Sequence, residues 1–219
     1  MSVRAVLFDL DGTLADTLED IASAMNRALA ASGLPPHPVD AYRRMVGEGA
    51  AVLAQRAVGA RADLEVDVLA AYLGGYDQHL VERTRAYAGV EALLDGLGAR
   101  RVPMAVLSNK PDPATRAVVE HLFGLARFAV VRGERAGSPR KPDPTAALEL
   151  ARALAATPGE IAFVGDTAID MRTACAAGML PVGVRWGFRT EQELRDAGAR
   201  HMLAEPLDLL TLFEAGAPS

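Results

Sequence analysis

Residues 3–13 read Val3-Arg4-Ala5-Val6-Leu7-Phe8-Asp9-Leu10-Asp11-Gly12-Thr13. A short, partly β-branched apolar run that ends abruptly in an acidic, glycine-containing turn has the form of a buried strand, here residues 3–10. The run stops at Asp9, far too soon to cross a membrane. Downstream, apolar residues recur at helical spacing through Leu18, Ile21, Ala22, Met25, Ala28 and Leu29, which predicts a helix over 17–31. Pro35, Pro36 and Pro38 break the chain. Further helices are expected over 45–58, entered through Gly47-Glu48-Gly49, and over 64–80, with no strand between about 15 and 87. An all-helical interval of roughly seventy residues is too long for a simple crossover between strands and reads as an insertion. From residue 88 the pattern alternates. Strands at 103–107, 128–131, 161–164 and 181–184 are separated by helices at 90–99, 113–123, 145–155 and 169–177, and 191–197 and 207–213 are helical. The expected class is α/β: a doubly wound parallel sheet with a Rossmann-like core (1–14 and 88–219) and an inserted all-helical cap domain (15–87).

The chain has 219 residues, half of them apolar, enough for a good-sized core without disulfides. Its single cysteine, Cys175, has no internal partner, and its setting among alanines marks it as a packing residue. The net charge of −5 argues against a phosphate-backbone binder, so no nucleic-acid partner is expected. No secretion signal or membrane-spanning run is recognisable, which makes a cytoplasmic monomer or homodimer the expectation. Arginine supplies 21 of the 23 basic residues; the two lysines are Lys110 and Lys141, and the two asparagines are Asn26 and Asn109. A GC-rich genome would deplete both residue types. Yet both lysines and Asn109 fall in two short loops, where a compact ammonium is not interchangeable with a planar guanidinium.

Parallel strands share a direction, so the loops that follow them emerge on one edge of the sheet, where ligands of such sheets bind. That edge collects Asp9-Leu10-Asp11-Gly12-Thr13, Ser108-Asn109-Lys110 and Gly165-Asp166-Thr167-Ala168-Ile169-Asp170; a further loop carries Lys141-Pro142-Asp143-Pro144. Each motif alone has an ordinary reading as an acidic turn or a helix start. Together they suit phosphoryl transfer. Clustered carboxylates need a cation, and an all-oxygen donor set favours Mg²⁺. A lysine and a hydroxyl can hold phosphoryl oxygens. Gly12 can turn Asp11 toward a leaving oxygen as a general acid.

With all four motifs in order, the chain resembles the haloacid dehalogenase superfamily, specifically its phosphatases with a helical cap inserted after the first motif. The resemblance implies that Asp9 is a nucleophile forming an aspartyl-phosphate and that Asp11 is the general acid and then base. It implies that Asp9, the Asp11 carbonyl and Asp166 hold Mg²⁺, with Asp170 in support. Ser108 and the Asn109 amide would bind the phosphoryl group, with Thr13 on the same side, and Lys141 would neutralise it; the role of Lys110 stays open. Val46-Gly47-Glu48-Gly49, Leu53 and Arg56-Ala57 look like the cap of phosphoglycolate phosphatases. Gly47, Glu48 and Gly49 are accordingly expected at the substrate, a small phosphate ester such as phosphoglycolate. Sugar-phosphate phosphatases, pyrophosphatases and β-phosphoglucomutases share the architecture. A non-enzymatic phospho-acceptor has no use for such a cap, and a dehalogenase has none for Asp11. Trp186 either borders the site or packs the strand end. His37, His79, His121 and His201 read as surface or packing residues. Arg43, Arg44, Arg56, Arg61, Arg83 and Arg85 read as a solvated face, one of them open to meeting a substrate carboxylate.

Overall fold

The computed structural model describes residues 3–76 and 80–216. In chain order the elements are β1 (Ala5–Phe8), β2 (Ala15–Asp16), α1 (Leu18–Ala31), α2 (Ala50–Val58), α3 (Glu65–Tyr76), β3 (Arg85–Ala86), α4 (Val90–Ala99), β4 (Met104–Pro111), α5 (Asp112–Phe123), β5 (Val130–Glu134), α6 (Thr145–Ala153), β6 (Ile161–Gly165), α7 (Ala168–Ala177), β7 (Leu180–Val184), α8 (Glu191–Asp196) and β8 (His201–Leu203). Six strands form one parallel sheet in the order β5-β4-β1-β6-β7-β8. The chain starts at the centre, winds outward through β4 and β5, then returns to lay β6, β7 and β8 on the other side. The reversal leaves a crevice beyond the carboxyl ends of β1 and β6.

β1 is buried on both faces, as a central parallel strand must be. Its side chains alternate: Val6 and Phe8 join the core that includes α4 and α5, while Ala5 and Leu7 face Ala146, Ala147, Leu150 and Ala151 of α6 and Ala174 and Ala177 of α7. These small residues let the helices approach the sheet closely. Ile21, Met25, Leu53, Val68 and Tyr72 of the helices α1–α3, with Tyr42 between them, are buried in the same core as Val6 and Phe8.

The expected α/β architecture is present, and several boundaries are corrected. The interval 15–87 is not free of strands: β2 and β3 pair antiparallel, Ala15 opposite Ala86 and Asp16 opposite Arg85, too short for any alternation to register. Asp20, buried at the start of α1, braces this ribbon by accepting from the Arg83 and Thr84 backbone N–H groups at 3.0 and 2.8 Å. The helix expected over 45–58 begins only at Ala50, because Gly47 and Gly49 take φ of +111° and +90°. Of the helix expected over 64–80, Glu65–Tyr76 is observed, and 77–79 lie outside the described residues. β4 runs on through Ser108-Asn109-Lys110, with a register shift between Leu107 and Pro111, and β5 lies two residues later than expected. A sixth strand, β8, adds to the five expected, and the helical segment expected over 207–213 is a 3₁₀ helix over 206–216. Cys175 is exposed and not a packing residue. No helix among the described residues is long and apolar enough to cross a membrane.

Candidate active site

The site begins where β1 ends. The Asp9 N–H donates to the Val164 carbonyl at 2.9 Å, so the β1–β6 ladder itself aims the Asp9 side chain. The Leu10 carbonyl then accepts from the N–H groups of Leu14 and Ala15, both at 3.0 Å, closing a tight turn. Gly12 makes that turn possible with φ +84°, and a Cβ there would sit 2.3 Å from Asp166 Oδ2. Thr13 Oγ1 donates to Asp166 Oδ1 at 3.3 Å, and the Phe188 N–H donates to Asp166 Oδ2 at 2.8 Å.

Asp170 is held by α7. Thr167 caps the helix, and its N–H and Oγ1 donate to Asp170 Oδ2 at 3.0 and 2.6 Å. Asp170 Oδ1 accepts from Lys141 Nζ at 2.7 Å, and the same ammonium donates to Asp9 Oδ1 at 2.7 Å. The Asn109 side chain grips the Lys141 backbone on both sides: Oδ1 accepts from its N–H at 3.0 Å, and Nδ2 donates to its carbonyl at 3.1 Å. Asn109 Nδ2 also donates to the Gly47 carbonyl at 3.2 Å, joining the sheet edge to the loop before α2. Lys110 Nζ donates to Asp11 Oδ1 at 2.8 Å.

Carboxylate oxygens of Asp9, Asp166 and Asp170 all lie within 4.8 Å of one another, and the three residues are buried. One ammonium, Lys141, stands among them, so the cluster carries excess negative charge away from water. Burial first, then Asp170, pushes the Asp9 carboxyl up from 3.8 to about 7, although Lys141 pulls the other way. Burial, then Asp9 and Asp170, likewise holds Asp166 well above the ordinary carboxylate range. Burial works against the charge on Lys141, but Asp170 and Asp9 outweigh it and keep the ammonium protonated. Such a set of hard oxygen donors with surplus charge fits a divalent cation. With Lys141 on one oxygen and Thr167 on the other, Asp170 suits a supporting place better than a direct one.

Above Asp9 lies a cavity of about 40 Å³, floored by Asp9, Asp11, Ser108, Asn109 and Lys110 and roofed by Val46, Gly47, Gly49, Leu53 and Tyr72. That is more than the ~10–15 Å³ needed to admit a single water, so the cavity takes a small polar ligand. Of the residues picked from sequence, Asp9, Asp11, Ser108, Asn109, Gly47 and Gly49 meet at this cavity, and Lys141, Asp166 and Asp170 lie beside Asp9. Thr13 is turned to Asp166, and Glu48 to Arg56. Trp186 borders the first loop, donating from Nε1 to the Thr13 carbonyl at 2.9 Å. His37 is a structural residue, its N–H donating to Asn26 Oδ1 at 2.9 Å and its Nε2 lying 2.8 Å from the Ala57 carbonyl; His79 lies outside the described residues.

Sequence reasoning missed the arginines that tie the helical segment to the sheet edge. Arg189 donates to the Arg43 and Val46 carbonyls, the latter at 2.9 Å. Arg43 reaches back over the Phe188 ring, 5.8 Å from its centroid. Arg140 donates to the Glu48 carbonyl at 3.4 Å. Their ion pairs, with Glu193, Asp40 and Glu134, stay on their own side, and what they reach across to are backbone carbonyls and a ring, so no charge pattern in the sequence announces the ties.

The haloacid dehalogenase-like hydrolase family matches residues 3–178. The chain is 39% identical over 199 residues to a phosphoglycolate phosphatase of Rhodospirillum rubrum, covering 86% of this chain and 82% of that one. It is 31% identical over 214 residues to a phosphoglycolate phosphatase of Chromobacterium violaceum, covering 95% and 96%. Its fold superposes on a predicted phosphoglycolate phosphatase from Haemophilus somnus with a TM-score of 0.89 and 26% identity, covering 98% of this chain and 99% of that one. The parallel sheet, the acidic edge and these likenesses agree, and the chain belongs to the haloacid dehalogenase-like hydrolases, as a phosphatase of phosphoric monoesters.

Proposed function

We propose that the chain hydrolyses 2-phosphoglycolate with the help of Mg²⁺, taking the phosphoryl group onto Asp9 and passing it to water. In this reading residues 15–87 form a cap over a core made of 1–14 and 88–219. The observation that carries it is the Asp9 carboxylate at the floor of a small cavity, with the Lys141 ammonium bridging it to Asp170 at 2.7 Å on each side. An Asp9 oxygen attacks phosphorus, an O–P bond forms, and the bond to the ester oxygen breaks. Asp11 gives that oxygen its proton, then takes one from the water that attacks the aspartyl-phosphate. The Ser108 hydroxyl and the Asn109 N–H hold phosphoryl oxygens, and Lys141 keeps Asp9 aimed and offsets charge. Mg²⁺, held by Asp9, Asp166 and the Asp11 carbonyl with Asp170 in support, supplies the positive charge that lets an anionic nucleophile meet an anionic phosphate.

The substrate assignment rests on the names of relatives at 31–39% identity and on a cavity sized for a small group. The test is phosphate release with Mg²⁺ from 2-phosphoglycolate, glucose 6-phosphate, β-glucose 1-phosphate and pyrophosphate. The expected winner is 2-phosphoglycolate, by at least about tenfold in kcat/KM. A clear win for a hexose phosphate rejects the substrate and leaves the core chemistry standing. Asp9→Asn is expected to cut kcat by at least about a thousandfold in metal-replete buffer; more than about one per cent residual activity rejects Asp9 as nucleophile.

A further inference from the structure

We infer that Lys110 reads the second anion of the substrate, exchanging Asp11 for the substrate's carboxylate. The inference rests on the phosphoglycolate reading above. Lys110 is the single cation among the described residues lining the cavity over Asp9. The roof offers only apolar side chains, glycines and Tyr72. The nearby arginines are committed elsewhere: Arg56 to Glu48 and the Met45 carbonyl, Arg189 to two carbonyls, Arg140 to Glu134 and the Glu48 carbonyl. Lys141 is engaged by Asp9 and Asp170. A carboxylate entering this cavity beside a phosphoryl group therefore meets one ammonium, and burying it without one is costly.

The position of Lys110 suits that task. Its side chain is 3% exposed, so an ion pair formed there is only weakly screened. Its backbone N–H donates to Ser108 Oγ at 3.2 Å, which sets it two residues from the hydroxyl assigned to the phosphoryl group. A ligand whose two charged ends are separated by one methylene unit spans such a pair of neighbours, whereas a hexose phosphate does not need the second contact. The ammonium holds Asp11 at 2.8 Å. A substrate carboxylate that draws Nζ to itself leaves the Asp11 carboxyl to turn toward the leaving oxygen. Recognition of the acid end and readiness of the proton donor are thereby one event.

The experiment compares kcat/KM for 2-phosphoglycolate and 2-hydroxyethyl phosphate, which replaces the carboxylate with a neutral alcohol of similar size. Wild type is expected to favour the acid, and Lys110→Met to lose at least about thirtyfold of that ratio, mainly through KM for the acid. Lys110→Gln, which keeps a hydrogen-bonding tip for Asp11, repeats the measurement, and thermal melts establish that each variant is folded. If both esters slow in equal proportion and the ratio survives, Lys110 only positions Asp11 and the inference is overturned. If wild type itself shows no preference for the acid, the inference and the phosphoglycolate assignment fall together. A retained preference in the variants removes the role of Lys110 alone.

Discussion

Lys141 places one ammonium between two buried carboxylates, and its Nζ lies 5.7 Å from the Phe163 ring centroid. A guanidinium keeps the charge but is larger, planar and forked, so it cannot occupy the point equidistant from Asp9 and Asp170. Lys141→Arg is accordingly expected to lower kcat by at least about a hundredfold, or roughly 2.7 kcal/mol, in a protein that still melts cooperatively. An unaltered kcat in steady-state assays would show the bridge to be incidental. The loops and the residues of this site were legible because carboxylates, two scarce lysines and a hydroxyl recur after successive strands. Their partnerships were not. The Asn109 side chain serves the Lys141 backbone 32 positions away, and the Lys110–Asp11 pair joins residues 99 positions apart. Only the folded sheet brings such groups together.

At the scale of elements, the loop entering α2 is where the helical segment meets the sheet edge most tightly. A Cβ on Gly49 would lie 2.8 Å from Arg140 Nη1, 3.1 Å from Glu134 Oε2 and 3.4 Å from the Asn109 carbonyl, while one on Gly47 meets only a Thr167 methyl at 3.4 Å. At φ +90° a branched residue adds about 1–3 kcal/mol of backbone strain. Gly49→Val is expected to lose at least about tenfold more kcat/KM toward 2-phosphoglycolate than toward p-nitrophenyl phosphate, since a small substrate relies on the closed contact. Equal losses on both, measured side by side, would count against closure as the cause. Long apolar strands and amphipathic helices are legible in the chain because burial on one or both faces writes a period into the order of residues. β8, three residues at the sheet's edge, and the two-residue strands β2 and β3 are shorter than any such period, and their pairing is decided by what they land beside.

For the molecule as a whole, the buried acids link protonation, metal and stability. The Asp9 carboxyl sits at about 7 when folded against an ordinary 3.8, so between these values the native state retains a proton that the unfolded chain has lost. Without metal, its contribution to stability therefore falls as pH rises from about 4 to about 7. A divalent cation held at Asp9 would take the place of the proton and reverse this. Mg²⁺ at ten times its Kd is expected to add about 1.4 kcal/mol, or about 3–6 °C in Tm, at pH 7.5, and clearly less at pH 5. Melts with Mg²⁺ and with chelator at the two pH values check this, and an equal gain at both would separate metal binding from Asp9. The paired strands β2 and β3 carry a different consequence. Because Asp16 and Arg85 face each other, the 15–87 stretch departs from and rejoins the sheet at neighbouring points. A stretch with adjoining ends behaves as a cassette: another helical unit spliced between the same two strands closes the same short gap, with the contacts made by Asn109, Arg140 and Arg189 to be rebuilt. Heredity can thus exchange the helical roof of the cavity while the carboxylates and lysines of the sheet edge, encoded elsewhere in the chain, pass on unaltered.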